Sequence, residues 1–394
     1  MKLLHTSDWH LGQNFMGKSR SEEHQAFLDW LVDTVERESV DVLVVAGDIF
    51  DTGTPPNYAL ELYYNFLTSV AQSRCRHIII TAGNHDSVST LKAPQQLLSV
   101  LNISVITNGD EDEDEIVEIY SEGEMVGIVC AVPFLRDSVV RRSEASQSAS
   151  EQESALSLGI KEHYESLYQK AKKLQSERQI PIIATGHLTT VGSKASDSER
   201  DIYIGGTLDI DSSFLSKDFD YVALGHLHIN QKVGSEHVRY SGSPIPLSFS
   251  EANGNKAVNI ITFGDTVDVE VVDIPLYRPL LVIKGDLESI SESLAKVDDK
   301  KTWIEIFLKD DNPISANQTI RHLAKELDLT LLAVKTERSD EALYSADIAV
   351  VSLDELKPIE LFQKRIELDG VDDEELKSEM IEKFAQIVDE LEMV

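Results

Sequence analysis

Apolar residues along this chain fall into short blocks that switch between two periods. Residues 40–46 (Val-Asp-Val-Leu-Val-Val-Ala), 77–82, 126–132 and 180–185 are brief, β-branched runs almost free of charge. That is the pattern of strands buried on both faces. Between them the period lengthens. Phe27, Leu28, Leu31, Val32 and Val35 share one helical face, behind Ser19 and Glu22 at capping-box spacing. Pro55-Pro56 opens a second helix over 58–71, and 161–178 predicts a third. Strand and helix in alternation predict a parallel sheet with covered faces. Residues 238–240, 257–263 and 267–274 lie closer together and predict antiparallel strands.

The pattern changes near Tyr277. Residues 280–284, 303–308 and 329–335 read as strands, with helices over 287–297 and 315–327, so a small α+β domain is predicted there. Beyond the polar run 336–340 the tail becomes acidic and carries two amphipathic stretches, 358–367 and 373–391. The second places Leu376, Met380, Phe384, Ile387, Val388 and Leu391 on one side. Residues 109–115 read as an acidic surface turn. Residues 138–157, rich in Ser, Gln and Glu, read as an exposed excursion. Boundaries follow at 1–275, 276–340 and 341–394.

A chain of 394 residues exceeds one ordinary core, in agreement with that division. Its 36 basic and 69 acidic residues give a net charge of −33. Such a surface repels nucleic acid unless positive charge is gathered locally. Cys75 and Cys130 match no metal or disulfide spacing, which favours a reducing cytoplasm. No apolar stretch approaches the roughly 20 residues that span a bilayer, and the N-terminus has no secretory core.

The candidate chemistry sits where strands end. Asp8 and His10 follow the first strand and Gly47-Asp48 the second. Gly83-Asn84-His85-Asp86, Gly186-His187 and Gly225-His226-Leu227-His228 close three more. Each alone is ordinary turn chemistry. Together they differ, because parallel strands in one sheet deliver their carboxyl ends to one rim, where open α/β folds bind ligands. Asp8, His10, Asp48, Asn84, His187, His226 and His228 form a thiolate-free oxygen and nitrogen set. It suits Mn²⁺, Fe or Zn²⁺ in five- or six-coordinate sites. Seven groups are too many for one ion and enough for two that share a bridging carboxylate.

In order, Asp8-x-His10, Gly47-Asp48-x-x-Asp51, Gly83-Asn84-His85-Asp86, Gly186-His187 and Gly225-His226-x-His228 resemble the five motifs of the calcineurin-like metallophosphoesterases. Residues 4–14, 184–190 and 240–249 are similar to the SbcD subfamily of bacterial nuclease subunits. The resemblance implies a β-sandwich flanked by helices over 1–275, a capping domain over 276–340 and a helical partner-binding segment over 341–394. It implies one metal held by Asp8, His10, Asp48 and His228. A second would be held by Asp48, Asn84, His187 and His226, most readily both as Mn²⁺. His85 would be the general acid or transition-state stabiliser, oriented by Asp51. Archaeal and eukaryotic relatives carry His at position 51, so its role is not borrowed from them. The other six histidines, His5, His24, His77, His163, His237 and His322, match no motif and are read as structural or surface groups.

The implied activity is two-metal DNA cleavage, as double-strand exonuclease and single-strand or hairpin endonuclease. An SbcC-like SMC-type ATPase would be the partner, two copies of each subunit together, in processing DNA ends. Competing readings are a small-phosphodiester phosphodiesterase or phosphatase, and a DNA-end-binding adaptor with structural metals. Protein phosphatases of the superfamily carry Arg-Gly after the second motif and Glu at the end of the third. Here Thr52-Gly53 and Asp86 stand instead. For DNA contact the loops offer Lys18, Arg20, Arg136, Arg141 and Arg142.

Overall fold

The computed structural model describes residues 1–109, 114–136, 149–199, 210–310, 313–336 and 383–384. Residues 1–336 form one compact unit. The second, 337–394, is described only at 383 and 384, both helical. The amphipathic face predicted over 373–391 therefore lies outside the described residues, as do Arg141, Arg142 and most of 109–115.

Two six-stranded sheets carry the unit. The first runs, in spatial order, Val267–Asp273, Ala257–Phe263, Lys2–Thr6, Val42–Ala46, His77–Thr81 and Ile103–Ile106. The last four are mutually parallel, and the first two join antiparallel at the edge. The second runs Gln231–Val233, Ser235–Tyr240, Tyr221–Gly225, Ile182–His187, Glu124–Cys130 and Ile116–Ser121. Its four inner strands are also parallel. Residues 238–240 pair parallel with Tyr221–Gly225 and antiparallel with Gln231–Val233, so the antiparallel expectation holds on one side only.

The sheets face one another through Leu3, Val44, Ile79, Val129, Ile183, Tyr221 and Ala223, all buried. On its outer side the first sheet is covered by helices Ser21–Arg37 and Asn57–Ala71, the second by Ala149–Gln175 and Ser213–Asp218. The result is the implied helix-flanked β-sandwich. The single parallel sheet predicted from alternation is corrected to two.

Several local expectations change with it. Ser19 is not the N-cap of its helix; Arg20 holds that position without a side-chain cap, while Ser19 Oγ accepts the Ser21 N–H at 3.3 Å. The helix predicted to start at 161 begins at Ala149. Its buried positions Leu156, Ile160, Tyr164, Leu167 and Ala171 repeat every three or four residues, so part of the supposed excursion is amphipathic helix. Glu115, expected in a solvated turn, is buried against His163 at 2.8 Å. Both cysteines are buried free thiols.

The third sheet is Leu280–Gly285, Trp303–Leu308 and Thr330–Thr336. All its pairings are parallel, because helices Leu287–Ala295 and Pro313–Glu326 make both crossovers. The predicted α+β arrangement is therefore a small βαβαβ unit. One face packs on its two helices. Leu280 and Trp303 on the other pack on Phe15 and Phe249. Among the described residues no helix is long and apolar enough to cross a membrane.

Candidate metal centre

The predicted donors arrive from both sheets. Lys2–Thr6, Val42–Ala46 and His77–Thr81 in the first lead to Asp8 and His10, to Asp48, and to Asn84 and His85. Ile182–His187 and Tyr221–Gly225 in the second lead to His187, and to His226 and His228. All are carboxyl ends of parallel strands, so the rim exists, shared between layers. Two glycines let the layers touch there. A Cβ on Gly225 would lie 1.8 Å from the Ala46 carbonyl oxygen. One on Gly47 would lie 2.1 Å from His187 Nδ1. Asp8, His10, Asp48 and His226 all have φ between 47° and 96°. Non-glycine residues seldom adopt that region, and such strain gathers at functional sites.

Asp48 is central. Its Oδ2 lies 3.6 Å from His10 Nε2 and 3.3 Å from His187 Nε2. His187 Nε2 is also 2.9 Å from Asn84 Oδ1. Donor atoms of Asp8, His10 and His228 fall within 4.8 Å of one another, as do those of Asp48, His187 and His226. The outer nitrogens of three histidines are fixed by neighbours. His10 Nδ1 donates to Asp51 Oδ1 at 3.2 Å and His187 Nδ1 to the Ala46 carbonyl at 3.3 Å. His228 Nδ1 meets Ser198 Oγ at 2.6 Å, and that hydroxyl donates to Glu251. An imidazole bonded at Nδ1 in this way presents Nε2 as a metal ligand. His10 Nε2 is buried and has no hydrogen-bond partner, and a bound cation would satisfy it. The donor set therefore fits two divalent ions.

The electrostatics point the same way. Burial opposes ionisation of Asp48, but His187 and, more weakly, His10 and His85 outweigh it and hold the carboxyl far below its usual range. Burial lowers His187, yet Asp48 and Asp8 lift it to about 9. Burial raises the Asp8 carboxyl, and burial with His187 beside it pushes His226 down to about 3. Carboxylate and imidazole charges thus offset one another across the cluster. Metal binding displaces imidazole protons.

His85 lies beside this set. Its Nδ1 donates to the Asp51 carbonyl at 2.8 Å, and its backbone N–H donates to Asp48 Oδ1 at 2.9 Å. Asp51, expected to orient His85, meets it through its backbone carbonyl, while its carboxylate also holds His10. Donor atoms of His10, Asp51 and His85 again fall within 4.8 Å. The cluster opens into a groove of about 450 Å³. Its lining includes His10, Asp51, His85 and His228 together with Glu305, Phe307 and Lys335 of the third sheet.

Sequence reasoning missed the supports behind the donors. Asp86 is buried and accepts the N–H groups of Gly83 (2.9 Å), Ile49 (3.1 Å) and Phe50 (3.0 Å), tying the Asp48 and Asn84 loops together. Burial, with Asp48 nearby, raises its carboxyl to about 6 against those three bonds. Its place at the end of the third motif was the available signal. Glu251 pairs with buried Lys256, whose Nζ donates to the His228 carbonyl at 2.9 Å. Glu199 accepts the His228 N–H at 2.7 Å. Nothing local marks these three. Arg20, expected to contact DNA, is instead fully buried; it donates to Glu23 at 2.7 Å and to the Pro246 carbonyl at 2.8 Å. Lys18 and Arg136 are exposed.

Comparison with known proteins agrees with this geometry. A family model described as calcineurin-like phosphoesterase matches residues 1–230. Another, described as type 5 capsule protein repressor C-terminal domain, matches residues 276–369. The chain is 41% identical over 384 residues to the SbcD subunit of the SbcCD nuclease of Escherichia coli K12, covering 95% of this chain and 94% of that protein. Identity to the protein of the same name from Bacillus subtilis 168 is 32% over 333 residues, 82% of each chain.

Proposed function

We propose that this chain, which belongs to the calcineurin-like phosphoesterases and within them to the SbcD nuclease subunits, is the metal-dependent DNA nuclease of an SbcCD-type complex. The observation that carries the mechanism is Asp48 Oδ2, within 3.6 Å of a histidine from each half of the cluster. It is placed to bridge. Asp8, His10, Asp48 and His228 would hold one cation, and Asp48, Asn84, His187 and His226 the other. Mixed oxygen and imidazole donors without thiolate suit Mn²⁺, Fe or Zn²⁺, and of these the family resemblance favours Mn²⁺. When bound, the two cations supply an activated water at neutral pH and neutralise charge growing on the phosphate.

The chain's own residues do the rest. With Nδ1 committed to the Asp51 carbonyl, His85 presents Nε2 to the groove. As an imidazolium, with Nε2 protonated as well, it can give that proton to the leaving sugar oxygen or share it, and is left as the Nδ1–H imidazole. Asp51 and Asp86 keep that loop in place. The buried Glu251–Lys256 pair and Ser198 hold the His228 ring.

The cellular setting follows the relatives. Processing of DNA ends and hairpins in replication, recombination and repair is the proposed role. It would take place in the cytoplasm, as a homodimer bound to an SbcC-like SMC-type ATPase. Residues 1–275 would be the nuclease domain, 276–340 the cap and 341–394 the docking segment. Removing the chain after Leu353 should leave a metal-loaded nuclease that no longer co-purifies with the ATPase. Loss of metal in that truncation would put the segment in the core instead.

Linear and hairpin DNA, offered with Mn²⁺ beside p-nitrophenyl phosphate, test the activity. Metal-dependent DNA cleavage is expected. Monoester hydrolysis without DNA cleavage would favour the phosphatase reading.

A further inference from the structure

The open face of the third sheet carries an arrangement that neither its own core nor the metal cluster explains. Phe307 sits on the central strand, paired in register with Lys284 on one side and Lys335 on the other. The two ammonium groups lie 4.8 and 5.2 Å from its ring centroid. Phe307 belongs neither to the apolar cluster under the sheet's helices nor to the Phe15–Trp303 cluster that docks the sheet. It lines the same groove as His10, His85 and His228. An aromatic ring outside both cores, flanked by cations and facing phosphodiester chemistry, asks for a ligand.

We propose that Phe307 is a stacking platform for one base of an unpaired DNA strand, with Lys284 and Lys335 meeting the adjoining phosphates. This rests on the nuclease reading above and adds the form of DNA that the groove prefers. Magnitudes decide between ring-bound lysines and a bound base. An exposed cation–π contact is worth about 0.5–1 kcal/mol, a base stacked on an aromatic about 1–3 kcal/mol. A base can therefore displace the ammonium groups from the ring, Lys284 turning to phosphate and Lys335 reaching it while still paired with Glu305. Glu305 does not cancel the pair: it is bound to Lys335 at 2.7 Å, leaving one net positive charge among the three. In a chain of net charge −33 that is a small positive spot beside Phe307, in a groove whose lining elsewhere carries Asp51 and Asp197. A duplex shields its base faces, so an unpaired strand is the fitting occupant.

The experiment uses the full-length protein with Mn²⁺ and short single-stranded oligonucleotides. Each carries one abasic position, stepped along the strand. For the unsubstituted protein, KM should rise about tenfold when the abasic position meets Phe307, the size of one lost stack. Phe307→Ala and Phe307→Leu should raise KM on intact DNA by a similar factor, with no further rise at that abasic position. Phe307→Trp should restore both the affinity and the sensitivity. Independent, multiplying penalties would overturn the proposal, as would loss confined to blunt duplexes. Fluorescence anisotropy on the same oligonucleotides separates the two readings. DNA that binds without being cut by the unsubstituted protein would sink the nuclease reading, while the ring–base coupling is still read from Kd.

Discussion

Asp48 and His187 meet across the seam between the two sheets, Oδ2 to Nε2 at 3.3 Å. One follows Val42–Ala46 and the other ends Ile182–His187, 139 positions apart by their numbers. Each sets the other's charge: the carboxyl is held far down and the imidazole lifted to about 9. A cation between them would take over that role.

Asp48→Asn removes the charge proposed to bridge the two cations. The variant should lose at least one metal by elemental analysis, together with all detectable nuclease activity. Two ions at full occupancy would show that the bridge lies elsewhere.

His85→Ala tests a different role, since His85 is outside both proposed ligand sets. Two metals should remain while cleavage falls roughly 10²–10⁴-fold, the usual effect of losing an acid–base group. Metal and activity vanishing together would make His85 a ligand.

Gly225→Ala drives a methyl to 1.8 Å from the Ala46 carbonyl, and backbone on both sides leaves little room to yield. Overpacking of this kind costs about 1–3 kcal/mol, and here it also spreads the donor sets. The expected outcome is a lower Tm and weaker metal retention. Gly254→Ala, whose nearest neighbour would be 3.5 Å away, serves as the harmless control.

His5 gives a prediction in pH. It is buried between the sheets, hydrogen-bonded to the Tyr221 hydroxyl at 2.9 Å, and burial lowers its pKa to about 3. The folded pKa is below the unfolded one, so the unfolded chain binds the extra proton. The stability His5 contributes is full above about pH 6.5 and is lost as pH falls toward 3. In His5→Gln the acid limb of a denaturation series should be shallower by up to one proton, about 1.4 kcal/mol per pH unit. An unchanged slope would mean that His5 titrates normally.

The sequence by itself determined which seven candidate donors to look for, the succession along the chain of the strands that bear them, and the family. Those signals are local: a β-branched run, a glycine, then a ligand-bearing side chain. The hydrophobic pattern alone did not determine that the strands belong to two sheets, which only the family resemblance implied. Residues 42–46 and 182–187 both read as buried runs, and a strand is equally apolar whether a helix or a second sheet covers it. Only the packing of Val44 and Ile79 against Val129 and Ile183 decides. The supports stayed hidden for a related reason. Asp86 works on the N–H groups of Ile49 and Phe50, and Glu251 reaches His228 through Ser198, 53 positions back. Phe307 likewise reads as one more core position in a strand. Which side of the sheet it faces, and that the metal groove lies there, is set when Trp303 docks on Phe15 and leaves the strand's far end open.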